Sequence, residues 1–256
     1  MNPRIESFAG RRVWVIGASY GIGAAIARDL LGRGARVILS ARRRDLLERV
    51  AAAAPQALIA ELDVTDRASV QHAADAIEAH WGGYDLALIV AGTHAEMRAQ
   101  TLDLDAARRL LDVNLHGVLN CLDAVIPALR RQRAGGVGIV SSMAGYVGLP
   151  KALVYGPSKA ALINLAESLY VDLHPEGIGV YLINPGFVDT PLTRKNDFAM
   201  PALMTAEAAA RATLDGIAAG RFEIHYPKRF TYWLKLLRLL PYPLQFAAVR
   251  RMTGLG

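Results

Sequence analysis

Arg12-Val13-Trp14-Val15-Ile16 is a short, mostly apolar run of strand type, and Gly17-Ala18-Ser19-Tyr20-Gly21-Ile22-Gly23 follows it directly. The next residues, Ala24 to Leu31, are strong helix formers with apolar positions at helical spacing. Strand, glycine turn and helix in that order give a glycine motif its meaning. The glycines permit a tight turn and close backbone approach. The helix start offers free N–H groups and a positive dipole end, so the stretch predicts a phosphate-binding turn at the first strand of an α/β fold.

Working outward, strand-like runs at 35–40, 57–62, 85–90, 136–141 and 178–183 alternate with helical stretches. That alternation predicts a doubly wound α/β domain with a mostly parallel sheet of about seven strands and helices on both faces. At 256 residues the chain is long enough to bury a large core. No repeat, low-complexity tract or linker divides it. The expected organisation is one domain over 1–226, followed by a tail over 227–256. The one cysteine, Cys121, lies in an apolar helical stretch and excludes an intramolecular disulfide framework. Six histidines are scattered without ligand spacing, and no metal site is expected. No apolar segment precedes the first strand, which makes the cytosol the default location.

Tyr155 and Lys159 stand four residues apart at the start of a stretch with helical periodicity, and Ser142 precedes the tyrosine by thirteen residues. On a helix, i and i+4 share a face. A free tyrosine titrates at about 10, and a neighbouring ammonium is expected to draw that value down toward the working range.

With both segments in view, the chain resembles the short-chain dehydrogenase/reductase family over roughly residues 10–226. Its glycine spacing is the family's G-x-x-x-G-x-G, and further motifs fall in the family's order. The resemblance implies a Rossmann-like catalytic domain over 1–226 with a lid over 186–205, and a catalytic set of Asn114, Ser142, Tyr155 and Lys159. It assigns the cofactor to Gly17, Ser19, Tyr20, Gly21, Ile22 and Gly23 at the turn, and to Asp63 and Val64 after the third strand. Ala91 and Gly92 follow the fourth strand, and Pro185, Gly186, Val188 and Thr190 hold the nicotinamide end beside Tyr155 and Lys159. By the same resemblance Tyr155 passes its proton to a carbonyl oxygen that Ser142 holds, and Lys159 binds the ribose. Asn114 positions the water that re-protonates through Lys159. Two departures stand out: Ile16 replaces the usual threonine, and Ile89-Val90 replaces a pair of asparagines.

The second strand ends in Ser40-Ala41-Arg42-Arg43-Arg44, with no acid to hold the adenosine ribose hydroxyls. An arginine beside that ribose can pair with a 2′-phosphate, and the resemblance assigns Arg42, with Arg43 second, to NADP(H), while Arg44 reads as the start of a solvated helix. Tyr20 stands where many NADP-preferring relatives carry a basic residue. Met143, Tyr146, Val147 and Leu149, then Phe187, Leu192, Phe198, Met200, Leu203 and Met204, supply apolar walls suited to a hydrophobic ketone, aldehyde or alcohol. Arg194 and Lys195 lie in the same lid, where they read as solvated surface or as cations that greet an acidic group. The alternative function is a non-catalytic NADP-sensing protein, or a membrane-docked scaffold on the same fold. The complete catalytic set speaks for turnover.

Residues 103–131 and 155–173 read as long helices with apolar faces, Leu110, Val113, Leu122 and Val125 on the first and Leu162, Leu165 and Leu169 on the second, and the resemblance implies that such a pair meets its symmetry mate in a homodimer or homotetramer. Residues 221–256 carry seven Lys or Arg against the single acid Glu223, a net +6 that equals the formal charge of the whole chain. Within them Phe230 to Leu240 places Thr231, Lys235 and Arg238 on one stripe of an otherwise apolar helix. Eleven residues are too few to span a bilayer, which needs about 20. Two readings remain open. Residues 230–252 pack over the cleft or a subunit contact, or they rest on an anionic membrane with Trp233, Leu236, Leu237 and Leu240 inserted and Lys235 and Arg238 toward the lipid. Nucleic acid is not an expected partner, since no recognition motif accompanies the charge.

Overall fold

The structure, a computed structural model, describes residues 1–193, 200 and 202–254. Arg194, Lys195 and Phe198 of the expected lid lie outside the described residues. The elements run β1 (Arg12–Ile16), α1 (Gly21–Gly32), β2 (Arg36–Ser40), α2 (Arg44–Ala51), β3 (Ala57–Ile59), α3 (Arg67–Trp81) and β4 (Leu86–Ile89). Then come α4 (Leu104–Leu111), a π-helical turn (Asp112–His116), α5 (Gly117–Gln132), β5 (Gly136–Val140), α6 (Tyr155–Leu173) and β6 (Gly179–Pro185). The last are α7 (Ala206–Ala218), β7 (Glu223–Tyr226), α8 (Lys228–Arg238) and α9 (Tyr242–Met252).

Seven strands form one parallel sheet in the order β3-β2-β1-β4-β5-β6-β7. Alternate residues of each strand face opposite layers. Trp14 and Ile16 enter the core under α3, α5 and α6, while Val13 and Val15 enter the core under α1, α2 and α7. Being buried on both faces, the strands read as continuous apolar runs. Trp14 is fully buried, and its indole N–H donates to Ser40 Oγ at 2.8 Å while that hydroxyl donates to Ala60 O. The polar atoms of three neighbouring strand segments are thereby satisfied inside the core. Burial pushes the Cys121 thiol up to about 12, as befits a small hydrophobe.

Several expectations are corrected. The third strand is shorter than 57–62, because beyond Ile59 only Ala60 and Leu62 still donate irregularly to Leu39 and Ala41. The helix over 103–131 is interrupted by the π turn at 112–116. Leu110, Leu122, Val125 and Leu162 fill the chain's own core and are not available to a symmetry mate, whereas Leu119 is exposed and Leu165 and Leu169 are half-buried.

In the tail, Thr231, Leu234 and Leu237 face inward. The Thr231 hydroxyl lies 2.6 Å from His225 Nδ1. Lys235 ion-pairs with Glu223 of β7. Leu237 and Lys235 therefore do not face a membrane, and the supposed polar stripe is half internal. Only Arg238 of that stripe is exposed. No helix among the described residues is long and apolar enough to cross a membrane.

Candidate active site

Strand order reverses between β1 and β4, where β2 lies on one side and β5 on the other. Crevices beyond the carboxyl ends of such strands are where open α/β sheets place ligands. Here the glycine turn fills that position. Gly17 has φ 99°, and a Cβ on it would fall 2.5 Å from the Ala91 nitrogen. Gly21 has φ 59° at the start of α1 and packs on Thr190. α1 has neither an acid in its first turn nor a side-chain cap, so its first N–H groups are left for an anion.

The cleft here measures about 610 Å3. Gly17, Ser19, Tyr20, Gly21, Ile22 and Gly23 line one side. Arg42, Arg43, Asp63 and Val64 line one end, Ala91 and Gly92 the floor, and Pro185, Gly186, Val188 and Thr190 the far wall with Tyr155, Lys159 and Ser142. The three arginines differ in what they touch. Arg44 pairs with Glu48 and Arg43 with Asp45, both at 3.0 Å, whereas Arg42 is largely exposed and 4.0 Å from Asp63. Arg42 is the guanidinium with least to give up to an incoming phosphate.

Tyr155 opens α6, and Lys159 follows one turn later on the same face, its Nζ 5.8 Å from the phenol ring centroid. Lys159 Nζ donates to Val140 O at 3.1 Å. Burial holds its pKa down to about 8. Burial also raises the Tyr155 pKa, against a smaller lowering from its hydrogen bond to Ser142. The expectation that the lysine charge draws the phenol down is therefore corrected. Desolvation disfavours both charged forms and outweighs their mutual attraction at this distance. Asn114 lies in the π turn, fully buried, a device that commonly aims a side chain at a site. Its amide accepts from Thr93 N at 2.7 Å and donates to Thr93 O at 2.9 Å. A Cβ on Gly92 would stand 3.4 Å from both Asn114 Oδ1 and Lys159 Nζ, so the glycine admits both groups to one spot.

A second cavity of about 380 Å3 shares Ser142 and Tyr155 with the first. Met143, Leu149, Phe187 and Leu192 line it as expected, and α8 adds Phe230 and Leu234. Tyr146 and Val147 are instead buried in the core, Leu203 is exposed, and Met200 is half-buried. Met204 clasps the loop base through Phe187 O at 3.0 Å and Asp189 N at 2.8 Å. Ile16 and Ile89 are buried core residues, and Val90 lines the first cavity.

Sequence reasoning missed two features. His94 sets its ring edge against Tyr155, centroids 4.7 Å apart at 84°, and burial lowers its pKa. Its only signal was its place two residues after Gly92. Glu223 collects Tyr146 Oη at 2.6 Å, Asn184 Nδ2 at 3.0 Å and the Lys235 ammonium. That group was announced only by Glu223 being the single acid of residues 221–256.

A family model described as short chain dehydrogenase matches residues 11–200. An uncharacterized oxidoreductase of Myxococcus xanthus is 36% identical over 246 residues, spanning 94% of this chain and 97% of that protein. The cis-4-hydroxycyclohexanecarboxylate dehydrogenase of Sinomonas cyclohexanicum is 35% identical over 218 residues, 83% of this chain and 86% of that one. The crystal structure of a short chain dehydrogenase from Burkholderia cenocepacia in complex with NADP superimposes with a TM-score of 0.84 at 27% identity, covering 95% of this chain and 98% of its own. A match that begins at β1 and runs past β6, with relatives alike over nearly their whole length, makes this chain a member of the short-chain dehydrogenase family of oxidoreductases.

Proposed function

We propose that the protein is an NADP(H)-dependent oxidoreductase that interconverts a hydrophobic ketone or aldehyde with its alcohol. The observation that carries this reading is the wall shared by the two cavities, where Ser142 and Tyr155 face both. A dinucleotide in the first cavity and an apolar carbonyl in the second would meet at those two side chains. The residues fit the cofactor. The uncapped α1 start and the Gly17 and Gly21 backbone accept a pyrophosphate, and Arg42 accepts a 2′-phosphate. A nicotinamide held there by these residues would supply or take up the hydride at the carbonyl carbon.

The chain's own work is on the oxygen. Its raised pKa keeps the Tyr155 phenol protonated at neutral pH, the form that donates to a carbonyl oxygen. Ser142 holds that oxygen by its hydroxyl. Asn114 and Lys159, meeting beside Gly92, return the proton from solvent. The Sinomonas relative, named for an alicyclic hydroxy acid, supports a secondary alcohol on an apolar ring as one substrate class. Residues 1–226 form the catalytic unit in this reading, and assembly proceeds through the outer faces of α5 and α6 as a dimer or tetramer.

NADPH consumption over a panel of aldehydes, cyclic ketones and long-chain carbonyls, with Tyr155→Phe as control, tests the reading. Turnover that vanishes in the variant supports it. NADPH binding without turnover of any carbonyl or alcohol would leave a cofactor-sensing protein instead.

A further inference from the structure

α8 and α9 have two unlike faces. Inward, Thr231, Leu234 and Leu237 pack on the body of the protein, and Gln245 of α9 donates to Leu237 O at 3.2 Å. Outward, Tyr232, Trp233, Leu236 and Leu239 follow at helical spacing, with Leu239 81% exposed. Tyr242 and Phe246 continue the exposed series on α9, stacked on each other with centroids 5.5 Å apart. So many large apolar side chains on two short helices are more than a soluble surface ordinarily scatters.

The charge carried by these two helices has one sign. Lys228, Arg229, Arg238 and Arg251 are exposed, and no Asp or Glu occurs between residues 224 and 256. Glu223, on the strand that precedes α8, is occupied by Lys235, Tyr146 and Asn184.

We infer that the outer face of α8 and α9 docks on an anionic lipid bilayer. The pattern is that of an interfacial helix, with aromatic and leucine side chains at the headgroup boundary and cations flanking them. A second copy of the chain is a poorer occupant. Twofold symmetry would set a cation-bearing surface against itself without an acid to answer it. The docking does not depend on which carbonyl the enzyme reduces.

The test is co-sedimentation of the full chain with vesicles of phosphatidylcholine and phosphatidylglycerol, and with vesicles of phosphatidylcholine alone. Salt is raised from ~0.1 M to ~1 M, which shortens the screening length from about 10 Å to 3 Å. Binding to the anionic vesicles is expected, weakening with salt, and brominated lipid should quench an emission that Trp233→Gln removes, since Trp14 is fully buried and Trp81 is half-buried beneath Arg36. Trp233→Gln with Leu236→Gln, and separately Arg238→Glu, should each weaken partition by about tenfold or more while oligomeric state and turnover of a soluble carbonyl stay the same. Failure to bind anionic vesicles at low salt would overturn the proposal. So would binding that both variants leave unchanged, or a wild-type oligomer that the double variant takes apart, since the face would then cover a second copy.

Discussion

Lys159 and Tyr155 share one face of α6, 5.8 Å from ammonium to ring centroid, and each is held toward its neutral form by burial. A lysine whose folded pKa is about 8 against an ordinary 10.5 binds fewer protons folded than unfolded between those values. Stability therefore rises with pH across that window, by roughly 2–3 kcal/mol before the raised tyrosines reverse the trend above pH 10. Lys159→Met should abolish the rise and be the more stable protein at pH 7, though inactive. Urea unfolding of both cofactor-free proteins from pH 7 to 10 checks this. Parallel curves would show that the lysine is not desolvated.

Replacing Tyr155 by Phe should reduce turnover by at least about 100-fold, within the ~10²–10⁴ expected of a general acid. NADPH affinity should hardly change, because the ring and its edge contact with His94 remain. A variant keeping more than about a tenth of the wild-type rate would move the proton donor elsewhere.

Arg42→Asp should erase a preference for NADPH over NADH of about tenfold or more in kcat/KM, equivalent to ~1.4 kcal/mol from one phosphate contact. Arg43→Ala should matter less, because Asp45 already occupies that guanidinium. Equal use of both cofactors by the wild type would remove Arg42 from the role.

What the sequence showed depended on the range of the interaction. The glycine turn, the Tyr155–Lys159 spacing and the strand alternation are local patterns, and each appears in the structure with small changes of boundary. The facing of residues was harder to read. Leu110, Leu122 and Val125 look alike on a helical wheel whether they meet their own sheet or another subunit, and here they meet the sheet. The sign of the Tyr155 shift was misread because burial is a property of the fold, whereas a neighbouring charge is visible in sequence. Glu223 and Lys235 are twelve residues apart on different elements, so no local period joins them.

That pair carries the last prediction. Burial pushes the Glu223 carboxyl up, but hydrogen bonds from Lys235, Tyr146 and Asn184 more than offset it and hold its pKa below the usual 4.5. A carboxyl depressed in the folded state contributes stability above the unfolded value and loses it as pH falls through the folded one. Glu223→Gln should lower stability by about 1–2 kcal/mol at pH 7, since it leaves Lys235 unpaired at a half-buried site. The difference between the two proteins should close as pH falls from 4.5 through the lower folded value. Because α8 brings Phe230 and Leu234 to the second cavity, loosening its staple to β7 should raise KM for bulky apolar carbonyls by several-fold. kcat on a small aldehyde should be nearly unaffected, since Ser142 and Tyr155 do not touch that staple. Acid titration of stability for both proteins, with KM measured on a large and a small substrate, separates this from a general loss of fold. An equal loss on both substrates would mean that α8 is not a wall of the substrate site.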